Sequence, residues 1–316
     1  MSITLSDIRK AAARIELIAH RTPVLTSRSF NERSGVQAFF KCENFQRGGA
    51  FKIRGAANFI YSIPKEDLPR GVVAFSSGNH AQAVAIAAAS VGTTATLVMP
   101  TDAPRSKLEA TRGYGARIVS YDRLHENREE IGQRISEETG ATLVPPYDHE
   151  WTITGQGTAA LELLDEVPDL DTLVVCIGGG GLISGCATAA KSLQPGIKVI
   201  GVEPADANDT YLSRREGQRV EIPPPQTIAD GLRSPKPGAI TFPIIQRLVD
   251  DILLVSDDEI REAVKFFLTR MKIVAEPSGA TAPAAVFFRK LPSDAQRVGV
   301  IISGGNVDLD VLNQIA

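Results

Sequence analysis

The chain has 316 residues and a net charge of −3, with 43% hydrophobic and 22% charged residues. This is globular composition, ample for one or two domains with a large core. With no basic block, nucleic acid and anionic membrane are poor partners. The opening MSITLSDIRKAAARIELIAH is broken by charges and has no apolar h-region, so it does not read as a signal peptide. No apolar run reaches the roughly 18 residues that a spanning helix needs. Cys42, Cys176 and Cys186 lack paired spacing, which fits a reduced cytoplasm. His20, His80, His125 and His149 are scattered and form no zinc-ligand pattern.

In chain order, FKIRGAAN (51–58) sets Lys52 between Phe51 and Ile53, just after QRGGA and at the start of a helix-like run. GVVAF (71–75) then reads as a strand leading into SSGNH and a helix. TATLVMP (94–100) and RIVSY (117–121) are further strands, each followed by a helical stretch. TLVVCI (172–177) runs into GGGG and the helical LISGCATAAKSL, and KVIGVEP (198–204) follows. Residues 220–243 are proline-rich and non-periodic, a long surface or active-site loop. From Ser256 a capping box with Glu259 opens a helix whose Ile260, Val264, Phe267, Leu268 and Met271 fall on one face. RVGVII (297–302) ends in SGGN. Short apolar strands alternating with helices predict an α/β fold built on mainly parallel, doubly wound sheet.

Three strand ends share one pattern, a buried strand, a loop of small residues and a helix: VVAF-SSGNH, VVCI-GGGG and GVII-SGGN. In open α/β sheets, ligands bind beyond the carboxyl ends of the strands. A glycine loop at a helix N-terminus offers bare N–H groups to an anion. Gly178, Gly179, Gly180 and Gly181 therefore predict a phosphate seat, with close helix–sheet packing as the alternative. A dinucleotide fits poorly. Glu203 lies at a suitable offset for a ribose acid, but GGGGLISG has Ile183 where G-x-G-x-x-G needs its third glycine. There is no Walker A run. A small phosphorylated cofactor with a reactive carbonyl fits better. Pyridoxal phosphate needs a lysine, a phosphate cradle and a polar partner for its ring nitrogen, and Lys52, Gly178–Gly181 and Ser303 supply them. A lysine in an apolar setting has a lowered pKa and can form a Schiff base. The bland alternative is a lysine whose stem packs while its ammonium reaches water.

ENFQRGGAFKIRGA, SSGNHAQA, ITGQGT, IGGGGLISG, GVEP, IADGL, AEPSGA and SGGN occur in the order found in fold type II pyridoxal-phosphate enzymes. Over about residues 5–312 the chain resembles the serine/threonine dehydratase (ammonia-lyase) and serine racemase family. The resemblance implies a tryptophan synthase β-like fold of two doubly wound parallel-sheet lobes. The large cofactor lobe would comprise residues 1–63 and 146–316, the small mobile substrate lobe 64–145, and no C-terminal regulatory domain is expected. It implies that Lys52 carries the cofactor and acts as base at the substrate Cα, that Phe51 packs on the ring, and that Asn79 bonds the ring hydroxyl. Gly178, Gly179, Gly180, Gly181 and Leu182 would hold the phosphate, and Ser303 would meet the ring nitrogen. Ser76, Ser77, Gly78, Asn79 and His80 would bind the substrate carboxylate. Neutral Ser303 makes the ring a weaker electron sink than an aspartate would, which suits β-elimination from serine, threonine or 3-hydroxyaspartate.

Ser77 keeps serine racemase open, because a hydroxyl on the face opposite Lys52 could return a proton; it could equally be a helix N-cap. His125 lies where some racemases have an arginine on the substrate. GVEPADAND resembles the family's divalent-cation loop, with Glu203, the Ala207 carbonyl and Asp209 as ligands to Mg²⁺, or Ca²⁺ or Mn²⁺; a solvated acidic loop is the alternative. Glu276 would be a second-shell or metal-adjacent acid. The resemblance further implies a homodimer and a small β-hydroxy amino acid as substrate. A nicotinamide oxidoreductase and a non-catalytic amino-acid sensor are the rival readings, and intact Lys52, Ser77 and Ser303 argue against the sensor.

Overall fold

The structure is a computed structural model that describes residues 3–76, 78–101, 105–122 and 125–315. Its strands are β1 (Val24–Leu25), β2 (Gln37–Cys42), β3 (Val72–Phe75), β4 (Ala95–Pro100), β5 (Arg117–Tyr121), β6 (Thr142–Leu143), β7 (Thr172–Cys176), β8 (Lys198–Pro204), β9 (Asp251–Val255) and β10 (Arg297–Ile302). They form two sheets, one of six strands in the order β1-β2-β10-β7-β8-β9 and one of four in the order β5-β4-β3-β6. Among these described strands only the β1–β2 pair is antiparallel. Parallel strands need helical crossovers on both faces, so they are buried and read as apolar runs. β7 shows this, with all of Thr172–Cys176 buried. The smaller sheet draws every strand from residues 72–143.

Each sheet has its own apolar core. The Lys52–Ile60 helix contributes Ile53, Ala56, Ala57, Phe59 and Ile60 to the core beneath the smaller sheet, although it precedes that segment in the chain. Its other side crosses the Glu150–Glu166 helix at backbone distance. A Cβ on Gly155 would lie 2.4 Å from the Arg54 carbonyl. The Gly181–Leu193 helix approaches as closely, since a Cβ on Gly185 would lie 2.2 Å from the Ile153 carbonyl. Several motif glycines are thus explained by three helices in contact.

Arg54 lies fully buried in this layer. Its guanidinium donates to Glu43 (2.7 Å) and to Glu162 (2.7 Å), and buried Lys41 also pairs with Glu162 (2.6 Å). Burial of that many charges is tolerated only because each is paired.

The helix expected from Ser256 has its capping box, with Glu259 N–H donating to Ser256 Oγ and Ser256 N–H to Glu259 Oε2. It is α-helical only over Asp257–Phe266 and widens into a π-turn over Phe267–Met271. The wider turn rotates the apolar face, so Ile260, Val264 and Phe267 are buried while Leu268 is 37% exposed.

Candidate active site

A cleft of about 580 Å³ is lined by residues from both sheets, at the carboxyl ends of β3, β7 and β10. Phe51, Lys52, Ser76, Gly78, Asn79, His80, Gly178, Gly179, Gly180, Gly181, Leu182 and Ser303 all line it. Ser77 lies outside the described residues.

Lys52 begins its helix with the ammonium in the cleft wall, 5.2 Å from the Phe51 ring centroid. Its Nζ donates to the Pro146 carbonyl at 2.9 Å. Burial pulls its pKa down from 10.5 to about 8, and the Cys176 and Glu276 side chains oppose the fall. The group is therefore poised between ammonium and nucleophilic amine near neutral pH.

The glycine loop has two physical reasons at once. Gly180 adopts φ 92°, a left-handed conformation that suits glycine. A Cβ on Gly179 would lie 2.4 Å from the Tyr147 ring, and one on Gly181 2.9 Å from Tyr147 Cβ. Close packing is therefore part of the answer. Gly181 and Leu182 also start the helix that follows β7. Among the described residues no protein acceptor takes the N–H groups of Gly178 to Leu182. The loop thus fits an anion such as a phosphate ester.

At the other end of the cleft, Ser303 Oγ donates to the Ser278 carbonyl (3.4 Å) beside the buried Cys176 thiol, whose pKa burial pushes up to about 11. Both groups are neutral, as a ring nitrogen without an acidic partner would require.

From the smaller sheet, Ser76 follows β3, and Gly78, Asn79 and His80 stand at the N-terminus of the Asn79–Ser90 helix. Ser76 Oγ accepts from Gly78 N–H (3.2 Å). His80 Nε2 lies 3.0 Å from the Val144 carbonyl, so Nε2 is the donor. Burial, then the neighbouring Lys52, drives its pKa down to about 3, so the ring is neutral. Asn79 Nδ2 donates to Glu276 Oε1 (2.7 Å), and Asn79 Oδ1 accepts from Asn306 Nδ2 (2.8 Å).

Glu203 and Asp209 do not line the cleft; they meet at a separate place. Glu203 accepts from the N–H groups of Thr210 (3.1 Å) and Tyr211 (2.8 Å). Both Asp209 oxygens are buried without a hydrogen-bond partner among the described residues. Burial raises both acids, and repulsion from Asp209 raises Glu203 further. No side-chain cation among the described residues pairs with either. Two buried oxygen ligands lacking a counter-charge fit a hard divalent cation. No third acidic, histidine or cysteine ligand joins them among the described residues, so further ligands would be neutral oxygens, such as the expected Ala207 carbonyl or water. Glu276 is not part of this pair, since its carboxylate faces Asn79 in the cleft. A metal-adjacent role for it is corrected accordingly.

His125 is exposed, pairs with Asp122 (2.8 Å) and does not line the cleft. The arginine that this segment brings to the rim is Arg128, whose guanidinium lies 5.8 Å from the Phe75 ring centroid. Sequence reasoning missed Arg128, Tyr147 and Asn306. The available signal for Arg128 was its place just after the helix N-cap Asn127.

The sequence profile described as pyridoxal-phosphate dependent enzyme matches residues 15–304. The chain is 49% identical over 307 residues to a serine racemase of Schizosaccharomyces pombe, covering 97% of this chain and 95% of that protein. It is 51% identical over 306 residues to an L-threo-3-hydroxyaspartate ammonia-lyase of Saccharomyces cerevisiae, covering 97% and 94%. The structure of maize serine racemase superposes with a TM-score of 0.96 at 45% identity, covering 99% of this chain and 97% of that one. The fold, the cleft lysine and these likenesses agree: the chain belongs to the family of pyridoxal-phosphate-dependent enzymes.

Proposed function

We propose that the protein is an ammonia-lyase that eliminates the β-hydroxyl of a small amino acid to give a 2-oxo acid and ammonia. The observation that carries this reading is Lys52, with its lowered pKa, in the same cleft as the open glycine loop and neutral Ser303. When bound, pyridoxal phosphate supplies an electron sink for charge developing at Cα. The N–H groups of Gly178 to Leu182 hold its phosphate, Asn79 bonds its ring oxygen and Ser303 meets its ring nitrogen. The helix N-terminus at Ser76–His80 holds the substrate carboxylate. Lys52, as amine, takes the Cα proton; a Cα–Cβ double bond forms as the Cβ–O bond breaks, and the hydroxyl takes up a proton and leaves as water; the released enamino acid tautomerises to an imine, which one water hydrolyses to 2-oxo acid and ammonia. Residues 64–145 act as a small lobe that closes on the substrate and excludes water. Glu203, Asp209 and the Ala207 carbonyl hold Mg²⁺ or Ca²⁺.

Arg128 favours 3-hydroxyaspartate over serine and threonine. It stands at the cleft rim with no ion-pair partner among the described residues, so a second substrate carboxylate would give it one. Serine racemase activity rests on Ser77 as the acid on the second face. The absence of any helix long and apolar enough to cross a membrane among the described residues, and three buried free cysteines, support a cytoplasmic enzyme. The assembly is a homodimer, the commonest closed form of a soluble enzyme.

The test is an NMR assay in D₂O with pyridoxal phosphate and Mg²⁺, supplying L-threo-3-hydroxyaspartate, L-serine and L-threonine. Oxo acid formed fastest from hydroxyaspartate, with that preference lost in Arg128→Met, is the expected result. D-serine as the main product would replace the lyase reading with a racemase. No turnover of any of the three would overturn both.

A further inference from the structure

Asn79 is gripped at both ends of its carboxamide. Nδ2 donates to Glu276 Oε1 at 2.7 Å, and Oδ1 accepts from Asn306 Nδ2 at 2.8 Å. Asn306 is held in turn, since its Nδ2 also donates to the Gly48 carbonyl at 2.7 Å. Glu276 is 4% exposed, and its backbone N–H donates to the Gly304 carbonyl at 3.0 Å. Both partners also pack against glycine backbone: a Cβ on Gly304 would lie 2.2 Å from Glu276 Oε1, and one on Gly49 2.2 Å from Asn306 Oδ1, so neither glycine could carry a side chain without displacing them.

The consequence is chemical. Rotating the Asn79 amide by half a turn would set its oxygen against a carboxylate and its NH₂ against another NH₂. The observed orientation is thus enforced, and the amide's uncommitted hydrogen is on Nδ2. Toward the cleft that it lines, Asn79 is a donor. A donor there selects an acceptor oxygen on the cofactor ring. We propose that Glu276 and Asn306 are positioning residues that lock Asn79 as a hydrogen-bond donor to the ring oxygen of pyridoxal phosphate. The proposal rests on the cofactor reading above. It also makes the donor depend on both sheets, because Asn79 follows β3 while Glu276 and Asn306 belong to the part of the chain around β10.

The test is a double-mutant cycle on cofactor affinity, which isolates effects transmitted through one residue. Wild type, Asn79→Ala, Glu276→Met, Asn306→Ala and the two doubles with Asn79→Ala are stripped of cofactor. Each is then titrated with pyridoxal phosphate by absorbance. Loss of one hydrogen bond is worth about 1 kcal/mol, or about fivefold. Glu276→Met and Asn306→Ala are each expected to weaken binding by about that factor alone, and by less than twofold when Asn79 is already alanine. The visible band of loaded Asn306→Ala should also shift toward that of Asn79→Ala. Equal factors in both backgrounds, or wild-type affinity and spectrum in both single variants, would overturn the proposal. Two independent partners keep the cycle readable if one variant does not fold. Wild-type protein that takes up no pyridoxal phosphate would overturn the cofactor reading and this one together; uptake with additive factors would overturn this one alone.

Discussion

Lys52 should destabilise the cofactor-free protein, and replacing it by methionine should make that form more stable at neutral pH. Its pKa falls from 10.5 to about 8 because the ammonium is held out of water. At about 1.36 kcal/mol per pH unit, that difference bounds the penalty at about 3.4 kcal/mol. Lys52 sits in a cleft wall, so water reduces the figure to about 2 kcal/mol. Lys52→Met also removes the hydrogen bond to the Pro146 carbonyl, a loss of about 0.5–1 kcal/mol. The net gain is about 1–1.5 kcal/mol. With an unfolding entropy of about 2.1 cal/mol/K per residue, it raises the Tm of this chain by about 2 °C. The sign of the pH dependence is fixed. The folded protein binds this proton less tightly than the unfolded chain, so the penalty is complete below about pH 8. It shrinks as pH rises from 8 toward 10.5 and is absent above that. Calorimetry of stripped wild type and Lys52→Met at pH 7 and pH 9.5 measures both points. A variant less stable than wild type at pH 7, with the same deficit at pH 9.5, would refute the idea that Lys52 is held at a cost.

Three further outcomes follow from packing and charge. Gly185→Ala puts a Cβ 2.2 Å from the Ile153 carbonyl and 2.5 Å from Gly157 N, so the helices must separate; a loss of about 3 kcal/mol in urea unfolding is expected. Arg54→Met strands buried Glu43 without its cation, while Glu162 keeps Lys41, and should cost about 3–5 kcal/mol by the same assay. Chelation should lower the Tm by about 4 °C if the Glu203–Asp209 cation is present at a hundred times its Kd, worth about 2.7 kcal/mol. Mg²⁺ or Ca²⁺ should restore it in wild type but not in Asp209→Asn.

Strands read from short apolar runs stand within a residue of their places at β3, β4, β5, β7, β8 and β10. Such runs are legible because a parallel strand buried on both faces must be apolar throughout. β1 and β6 are two residues each, too short to carry a period. The π-turn at Phe267–Met271 was not legible either, since the sequence there continues an α-helical pattern. In the cleft, the motif residues were legible because each has a distinctive local setting: a glycine run, a helix start, a strand end. Glu276 and Asn306 lie in the quoted motifs AEPSGA and SGGN, but neither motif shows what its acid or amide touches. Their meaning comes from meeting Asn79 across 197 and 227 residues of chain, which only the folded topology brings about. Arg128 was obscured in the same way, because only the fold brings the residue after the N-cap Asn127 to the cleft.

The segment from Val144 to His149 shows how one short connection can serve several parts of the cleft. Pro145 and Pro146 have no N–H, so the chain cannot go on pairing with β3 as β6 does, and their φ angles are fixed. Released from the sheet, the segment's carbonyls point at cleft groups: that of Val144 takes the His80 proton and that of Pro146 takes the Lys52 ammonium. Tyr147 then covers Gly179, and the Asp148 carboxylate accepts the N–H groups of Ala239 and Ile240, both at 2.8 Å, at the end of the proline-rich loop. A backbone carbonyl carries no proton and does not titrate in the working range. Lys52 and His80 therefore keep their hydrogen-bond acceptors at every pH where the enzyme would act. The charge of the cleft can then change at Lys52 without the site losing its geometry, as a base that alternates between amine and ammonium requires.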